Sequence, residues 1–309
     1  MKTRYISGEE VYSLPLENVI EIVEAAFRGF LEPGVIQPPR SELLVEDGSR
    51  FLGVMPTHIL EYNVFTVKVI DYPFDGRPFK AMVIVYDLDD PSEVCIVDGE
   101  SVTTLRTAGM GLVSTKHLKS NPKSIAVVGT GVQGRAMLDL HLRYFTSIEK
   151  VFLYNRSRVK AESLAVDIGK HVDVDVADAS DDAVKDADVV ILSTTSLEPV
   201  ITGEEVMEGA HVISIGYMGR DSREFGPMLL RRASKIYLDG PDARDSGDIR
   251  IPLHEGVLDD SKIYLFSEYL LGKAPGRTRS DEITVFKSVG TAVQDGYMAY
   301  YIWMRLARG

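Results

Sequence analysis

The chain of 309 residues holds one cysteine, Cys95, and six histidines scattered along its length. A single thiol excludes an internal disulfide, and no group of Cys and His residues has the spacing of a zinc site. Both absences point to a reducing, intracellular compartment. Long apolar runs are missing as well. No window approaches the roughly 18 apolar residues that cross a bilayer, and the opening MKTRYISGEEVYSL lacks an apolar core of signal-peptide length. A soluble, cytoplasmic protein without membrane partners is expected. Positive charge is the minority: 34 Lys and Arg stand against 46 Asp and Glu, and the net charge of -12 repels nucleic-acid phosphates where no basic patch intervenes. Low-complexity tracts and repeats of solenoid period are also lacking, which excludes fibrous and array architectures.

What the chain does have is alternation. PLENVIEIVEAAFRGFLEPG places Val19, Ile22, Val23, Ala26, Phe27 and Phe30 on one helical face, and Gly34 ends the run. The runs SELLVED, RFLGVMP, NVFTVKVIDYP, FKAMVIVYDL and EVCIVDG then read as strands divided by turn residues. From Ser124 the rhythm becomes strand, helix, strand, with SIAVVG, KVFLYN, DVVILST, HVISIG and KIYLDG as the strands. That pattern predicts a parallel sheet covered by helices on both faces. The closing VGTAVQDGYMAYYIWMRLARG is a helix too apolar to be solvated, expected to return onto the first part of the chain.

Within SIAVVGTGVQGRAMLDL, Gly129, Gly131 and Gly134 have G-x-G-x-x-G spacing, directly after an apolar strand and directly before a helix. Glycines there let the backbone turn sharply and approach a pyrophosphate, whose charge is met by free amides at the helix start. At the end of the next strand, a carboxylate about 20 residues on would hold a ribose 2′-hydroxyl. The chain instead has Asn155, Arg156, Ser157 and Arg158, donors and positive charge that suit a 2′-phosphate. NADP(H) is therefore expected over NAD(H).

Three basic residues stand out in the first third. Arg40 follows Pro38 and Pro39, which fix an extended backbone. Lys68 lies mid-strand, where alternation groups it with Thr66 and Ile70 between largely apolar faces, and so needs a partner. Arg106 follows Thr103 and Thr104, either of which is able to cap a helix starting there, and a cation in a helix's first turn calls for an anion nearby. Taken singly each reads as a surface cation or a structural ion pair. Together they suggest a carboxylate site.

At this point QPPRS, FLGVMP, TVKVI, SVTTLRTAGMG, VVGTGVQGRA, YNRSR, DADVVILSTTSLEPVI, GAHVISIG, SGDI and TVFKSVGTAVQD, in this order and spacing, resemble the ornithine cyclodeaminase and mu-crystallin family over nearly the whole chain. The resemblance implies an α/β fold, a Rossmann doubly wound parallel sheet inserted into an α+β substrate-binding and dimerisation domain. Residues 1–117 plus 289–309 would form the outer domain, residues 118–288 the nucleotide-binding one, and two copies would join their sheets as a homodimer. It further implies that Arg40, Lys68 and Arg106 surround the carboxylate of an amino or imino acid. Thr107, Gly129, Gly131, Val132, Gln133 and Gly134, then Asn155, Arg156 and Ser157, Thr194 and Thr195, Ile215 and Gly216, and Val289 and Gly290 would line the cofactor. No metal is implied.

Departures narrow the chemistry. Members that cyclise ornithine resemble one another in a Glu two residues before the Met-Pro pair and an Asp two residues after the Gly that ends the VISIG-like strand. Here those positions are Gly53 and Met218, so the carboxylates such chemistry needs are missing. The wording is closer to the ketimine-reducing, mu-crystallin-like branch. The expected reaction is hydride delivery from NADPH to the C=N carbon of a small, cyclic 2-imino acid, with Arg40 and Arg106 clamping its carboxylate and Lys68 passing a proton. Alanine dehydrogenase-like deamination, ornithine cyclisation and NADPH binding without turnover are the alternatives. Pocket shape is expected to depend on loop positions around His58, Tyr72 and Met218.

Overall fold

The computed structural model describes residues 2–46, 48–73 and 77–307, and the chain divides into two compact units, residues 1–109 with 291–309 and residues 110–290. The first unit opens with β1 (Lys2–Ile6), α1 (Gly8–Tyr12) and α2 (Leu16–Gly29). It continues through β2 (Val35–Ile36), β3 (Ser41–Leu44), β4 (Arg50–Ile59), β5 (Val64–Pro73), β6 (Lys80–Asp87) and β7 (Glu93–Asp98), the last running into α3 (Gly99–Leu118). Among the described residues these strands form one mixed sheet in the order β1-β7-β6-β5-β4-β2, with β3 also on β4. The ladder from β4 to β7 is antiparallel, and only β1 joins in parallel.

Period-two alternation decides which side chains that sheet buries. On β5, Val64, Thr66 and Lys68 are buried while Phe65 is 45% exposed. The terminal helix, Ala292–Ala307, packs on α2 and across β4, β5 and β6, and its apolar side chains Val293, Met298, Ala299, Ile302 and Trp303 are almost wholly buried. Burying each large one contributes about 1.5–3 kcal/mol, enough to bring a distant chain end back onto this sheet. The last two residues of that run, 308–309, lie outside the described residues.

The second unit follows the expected alternation: β8 (Ser124–Val128), α4 (Val132–Tyr144), β9 (Lys150–Tyr154), α5 (Arg158–Ile168), β10 (Asp173–Val176), α6 (Ser180–Val184), β11 (Val189–Leu192) and β12 (His211–Ser214). Then come α7 (Pro227–Arg232), β13 (Ala233–Leu238), α8 (Gly247–His254), β14 (Ile263–Leu265), α9 (Phe266–Leu270) and β15 (Ile283–Lys287). Eight described strands pair in parallel in the order β10-β9-β8-β11-β12-β15-β13-β14. The order runs outward from β8 both ways, the doubly wound arrangement in which ligands bind beyond the carboxyl ends of the strands where the direction reverses. Three strands of this unit escaped the sequence reading, as β1 and β2 did in the first. β10 is Asp-Val-Asp-Val at the sheet edge, β14 has three residues, and β15 is inserted between β12 and β13, a neighbour relation that local pattern does not carry.

Candidate active site

Lys68 finds its partner far along the chain. Its Nζ lies 3.1 Å from both carboxylate oxygens of Asp295 on the terminal helix and donates to Thr103 Oγ1 at 2.6 Å. Arg106 Nε donates to the same Asp295 Oδ1 at 2.9 Å. All three charged side chains are about 95% buried or more. One anion therefore stands against two cations. Arg40 adds a third, because its charge is felt at Lys68, and its segment is tied to the same helix where Gln37 Oε1 accepts from Val293 N at 3.0 Å.

Electrostatics follow from that excess. Burial, reinforced by the neighbouring Arg106 and Arg40 charges against the pull of Asp295, pushes the Lys68 ammonium down to about 8. For Asp295 burial acts upward, but the Arg106 and Lys68 charges outweigh it and hold the carboxyl below its ordinary range. Among the described residues the cluster is thus ionised and buried, with Lys68 and Arg106 sharing the single carboxylate of Asp295.

The position of Arg106 corrects the sequence reading. Its helix starts earlier than Thr103: Asp98 Oδ1 accepts from Ser101 N at 2.9 Å, and Thr103 and Thr104 sit inside α3, donating to the Gly99 and Glu100 carbonyls. Arg106 lies two turns in, away from the helix end. The nearby anion exists, but it is Asp295 rather than a compensation for a helix dipole. Asp295 itself went unread, although a lone acid in the apolar run TAVQDGYMAYYIWM was the signal available.

The other candidates gather in the second unit. Gly129, Asn155, Thr194, Ile215 with Gly216, and Val289 with Gly290 each follow closely the carboxyl end of β8, β9, β11, β12 and β15, strands adjacent in that sheet. Gly129 has φ 99°, where L side chains rarely sit, and an added Cβ would lie 2.5 Å from the Ser193 carbonyl oxygen. A Cβ on Gly134 would overlap the Gly129 carbonyl oxygen, so both glycines are needed for the turn itself. Gly131 differs: a Cβ there meets nothing within 4 Å. With Gly131 as the uncapped start of α4, Val132 71% exposed and Gln133 Oε1 buried without a partner among the described residues, this loop leaves an open space at a helix start that fits a pyrophosphate.

Asn155 Oδ1 accepts from Thr130 N at 3.2 Å and its Nδ2 donates to Ser157 O at 3.0 Å, joining two of the predicted segments. Arg158 is engaged, paired with Glu162 at 2.8 Å and with Asp178. Arg156 is exposed and makes no ion pair among the described residues. Thr195 is exposed, and Thr107 is buried on α3 beside Arg106.

Buried polar groups that sequence reading missed fix three of these loops. Glu224, 1% exposed, accepts from Thr194 N at 2.6 Å, Thr194 Oγ1 at 2.9 Å, Ser214 Oγ at 2.7 Å and Gly216 N at 2.6 Å. Lys287 pairs with Asp248 at 2.6 Å and donates to Ser214 Oγ and Gly216 O. Asp239 Oδ2 accepts from Ser288 Oγ, Val289 N and Gly290 N, at 2.7, 3.1 and 2.8 Å. These carboxylates are interior structure rather than solvent-facing acids, and no spacing rule marks them.

At the two places where the family resemblance implies carboxylates in ornithine-cyclising members, the chain has Gly53 and Met218. Gly53 faces Ile70 across β4 and β5, with 2.8 Å between an added Cβ and Ile70 Cγ2, and Met218 N donates to Ser222 Oγ at 2.9 Å. Asp221 close by is paired with Arg250. Tyr72 stacks between Phe51 and Phe79, and His58 packs on Phe65. The described residues hold no cluster of three metal-ligating side chains, and no helix among them is long and apolar enough to cross a membrane.

The chain is similar to known proteins over nearly its whole length. Mouse ketimine reductase mu-crystallin is 31% identical over 306 residues, 94% of this chain and 93% of its own. The Delta(1)-pyrroline-2-carboxylate reductase of Bacillus cereus is 28% identical over 97% of this chain and 95% of its own. Among solved structures, the Thermococcus litoralis Delta(1)-pyrroline-2-carboxylate reductase in complex with NADH and L-proline superposes with a TM-score of 0.90 at 29% identity, covering 98% of each chain. An archaeal alanine dehydrogenase dimer with bound NAD also reaches 0.90, at 26% identity, covering 100% of this chain and 97% of its own. The family model described as ornithine cyclodeaminase/mu-crystallin matches residues 6–309, and the chain belongs to that family.

Proposed function

We propose that the protein is a nicotinamide-nucleotide-dependent oxidoreductase that reduces the C=N bond of a small, cyclic 2-imino acid, using NADPH in preference to NADH. The observation that carries this reading is the buried surplus of positive charge around Asp295, which a monocarboxylate ligand balances. The relatives named for reduction of ketimines and of Delta(1)-pyrroline-2-carboxylate support the substrate class. A nicotinamide nucleotide held by the Gly129–Gly134 loop and the loops after β9, β11, β12 and β15 supplies the hydride. The chain's own residues do the remainder. Arg106 and Arg40 hold the substrate carboxylate through charge-assisted hydrogen bonds, which fixes the orientation of the imine carbon. Lys68, with its ammonium pushed down to about 8, stands near the pH at which it gives up the proton that the product nitrogen needs. Thr103 and Asp295 keep the resulting amine in place.

Cofactor preference rests on Arg156, exposed and unpaired among the described residues beside a strand end without a carboxylate, whereas Arg158 is already committed to Glu162 and Asp178. Residues 1–117 with 289–309 act as the substrate-binding and dimerisation domain, and residues 118–288 as the nucleotide domain. A homodimer is supported by the apolar outer face of the first unit's sheet, where Val54, Val69 and Met82 form one cross-strand row and His58, Phe65 and Tyr86 another. A cytoplasmic location completes the reading.

The test is NADPH oxidation with 1-pyrroline-2-carboxylate. Steady turnover is expected; turnover with pyruvate plus ammonia alone favours alanine dehydrogenase-like chemistry, and tight NADPH binding with neither substrate favours a binding protein. NADPH should bind at least about tenfold more tightly than NADH, which needs only about 1.4 kcal/mol from a phosphate contact, and Arg156→Ala should erase most of that difference. Equal dissociation constants in the unaltered protein refute the preference.

A further inference from the structure

The start of the terminal helix carries two polar side chains, Thr291 just before it and Gln294 in its first turn, whose needs the described residues leave unmet. Gln294 is 1% exposed, yet neither its Oε1 nor its Nε2 has a hydrogen-bond partner among the described residues. Thr291, at the start of that helix, is equally buried, and its Oγ1 is unpartnered too. A buried amide without partners costs on the order of several kcal/mol, so the position is kept against a penalty that a ligand removes. Helical geometry puts Gln294 and Asp295 about 100° apart in the first turn, with Thr291 directly before that turn. Asp295 there grips Lys68 and Arg106, and Gln37 caps Val293 N in the same turn. The orphaned groups therefore flank the anion site and share the positive end of a 16-residue helix.

We propose that Gln294, assisted by Thr291, recognises the nitrogen edge of the substrate and so selects imino and amino acids over keto acids and simple carboxylates. The inference rests on the reading above that this site takes a 2-imino acid. A protonated 2-imino acid presents an N–H donor and a carboxylate acceptor side by side on one edge. A side-chain amide presents an acceptor and a donor in the same relation, Oε1 taking the N–H and Nε2 giving to the carboxylate. A 2-keto acid offers acceptors only, which leaves Oε1 facing another oxygen. Thr291 Oγ1, able to donate or accept, serves either partner.

The experiment uses the full-length protein with NADPH bound and compares L-proline with cyclopentanecarboxylate, which has the same ring and carboxylate but no nitrogen, as competitors of 1-pyrroline-2-carboxylate. In the unaltered protein proline should bind about tenfold or more tightly than the carbocycle, the usual gain from a hydrogen bond to a charged group. Gln294→Met, close in size and shape, should bring the ratio near one while the NADPH dissociation constant stays unchanged. A ratio that survives the substitution overturns the proposal. So does a weakened NADPH affinity with the ratio intact, which means that the amide reads the carboxamide of the cofactor instead. Should Gln294→Met not fold, Gln294→Glu gives a test of opposite sign: a carboxylate strengthens acceptance of the N–H and repels both acids, so the proline ratio should rise several-fold, and an unchanged ratio overturns the proposal. Absence of turnover in the unaltered protein refutes the reductase reading, whereas the two competitors, titrated calorimetrically, still decide the role of Gln294.

Discussion

Asp295→Asn removes one negative charge while leaving both of its cationic neighbours in place. The carboxylate is 1% exposed and lies 3.1 Å from Lys68 Nζ and 2.9 Å from Arg106 Nε. Asparagine has nearly the same volume, so the packing of the terminal helix on β4 and β5 is retained and the loss is electrostatic. Removing one partner of a buried pair costs about 3–5 kcal/mol. The protein can relieve part of it by releasing the Lys68 proton, since that ammonium already sits at about 8 and loses the charge that supported it. Neutral Lys68 in the folded variant against protonated Lys68 in the unfolded chain makes the deficit pH-dependent. The unfolded state then binds the extra proton between pH 7 and the ordinary lysine value of about 10.4, so stability of the variant rises by about 1.4 kcal/mol per pH unit over that range. In the unaltered protein the same gain begins only above about 8, where its folded Lys68 titrates. The chain's one tryptophan, Trp303, is fully buried on the terminal helix, so its fluorescence during urea unfolding reports this unit directly. A variant within about 0.5 kcal/mol of the unaltered protein at pH 7, or a deficit that stays constant from pH 7 to 9, refutes the counter-charge role.

Gly131→Ala should leave stability within about 0.5 kcal/mol, since φ is -76° and the new methyl meets nothing, yet it should weaken NADPH binding at least about tenfold; unchanged affinity in calorimetry means that the phosphates lie elsewhere. With saturating NADPH, kcat/KM for 1-pyrroline-2-carboxylate should fall as pH rises through about 8, where Lys68 loses its proton, and Lys68→Met should remove that limb and lower the rate about 10²–10⁴-fold. A profile still flat at pH 10 argues against Lys68 as the proton source. Ornithine should not be converted to proline and ammonia at useful rates, because Gly53 and Met218 stand where the family resemblance implies carboxylates in cyclising members and Asp221 is paired with Arg250; many turnovers of proline from ornithine refute that expectation.

Sequence alone determined what depends on consecutive residues. The glycine turn between β8 and α4 is legible because the strand, the positive-φ Gly129 and the helix start are covalent neighbours whose backbone conformations are local. The place of Lys68 mid-strand among apolar residues, as a cation in need of a partner, is legible for the same reason, and the unusual Arg156 segment from its distance to that turn. Where local cues competed, the reading slipped: threonine is a good helix cap, but Asp98 had already begun α3, and Arg106 moved from the first turn to its interior. Tertiary structure alone decided the partners. Asp295 is 227 residues from Lys68 and 189 from Arg106, and only burial of the terminal helix's apolar face brings them together. Lys287 and Asp239 became loop-fixing groups because β15 inserted between β12 and β13, a pairing without a local signature, and Glu224 because the loops after β11 and β12 meet around it. A buried charge is stable only where its partner arrives, and that meeting is set by how apolar surface is covered across the whole chain rather than by any short stretch of it.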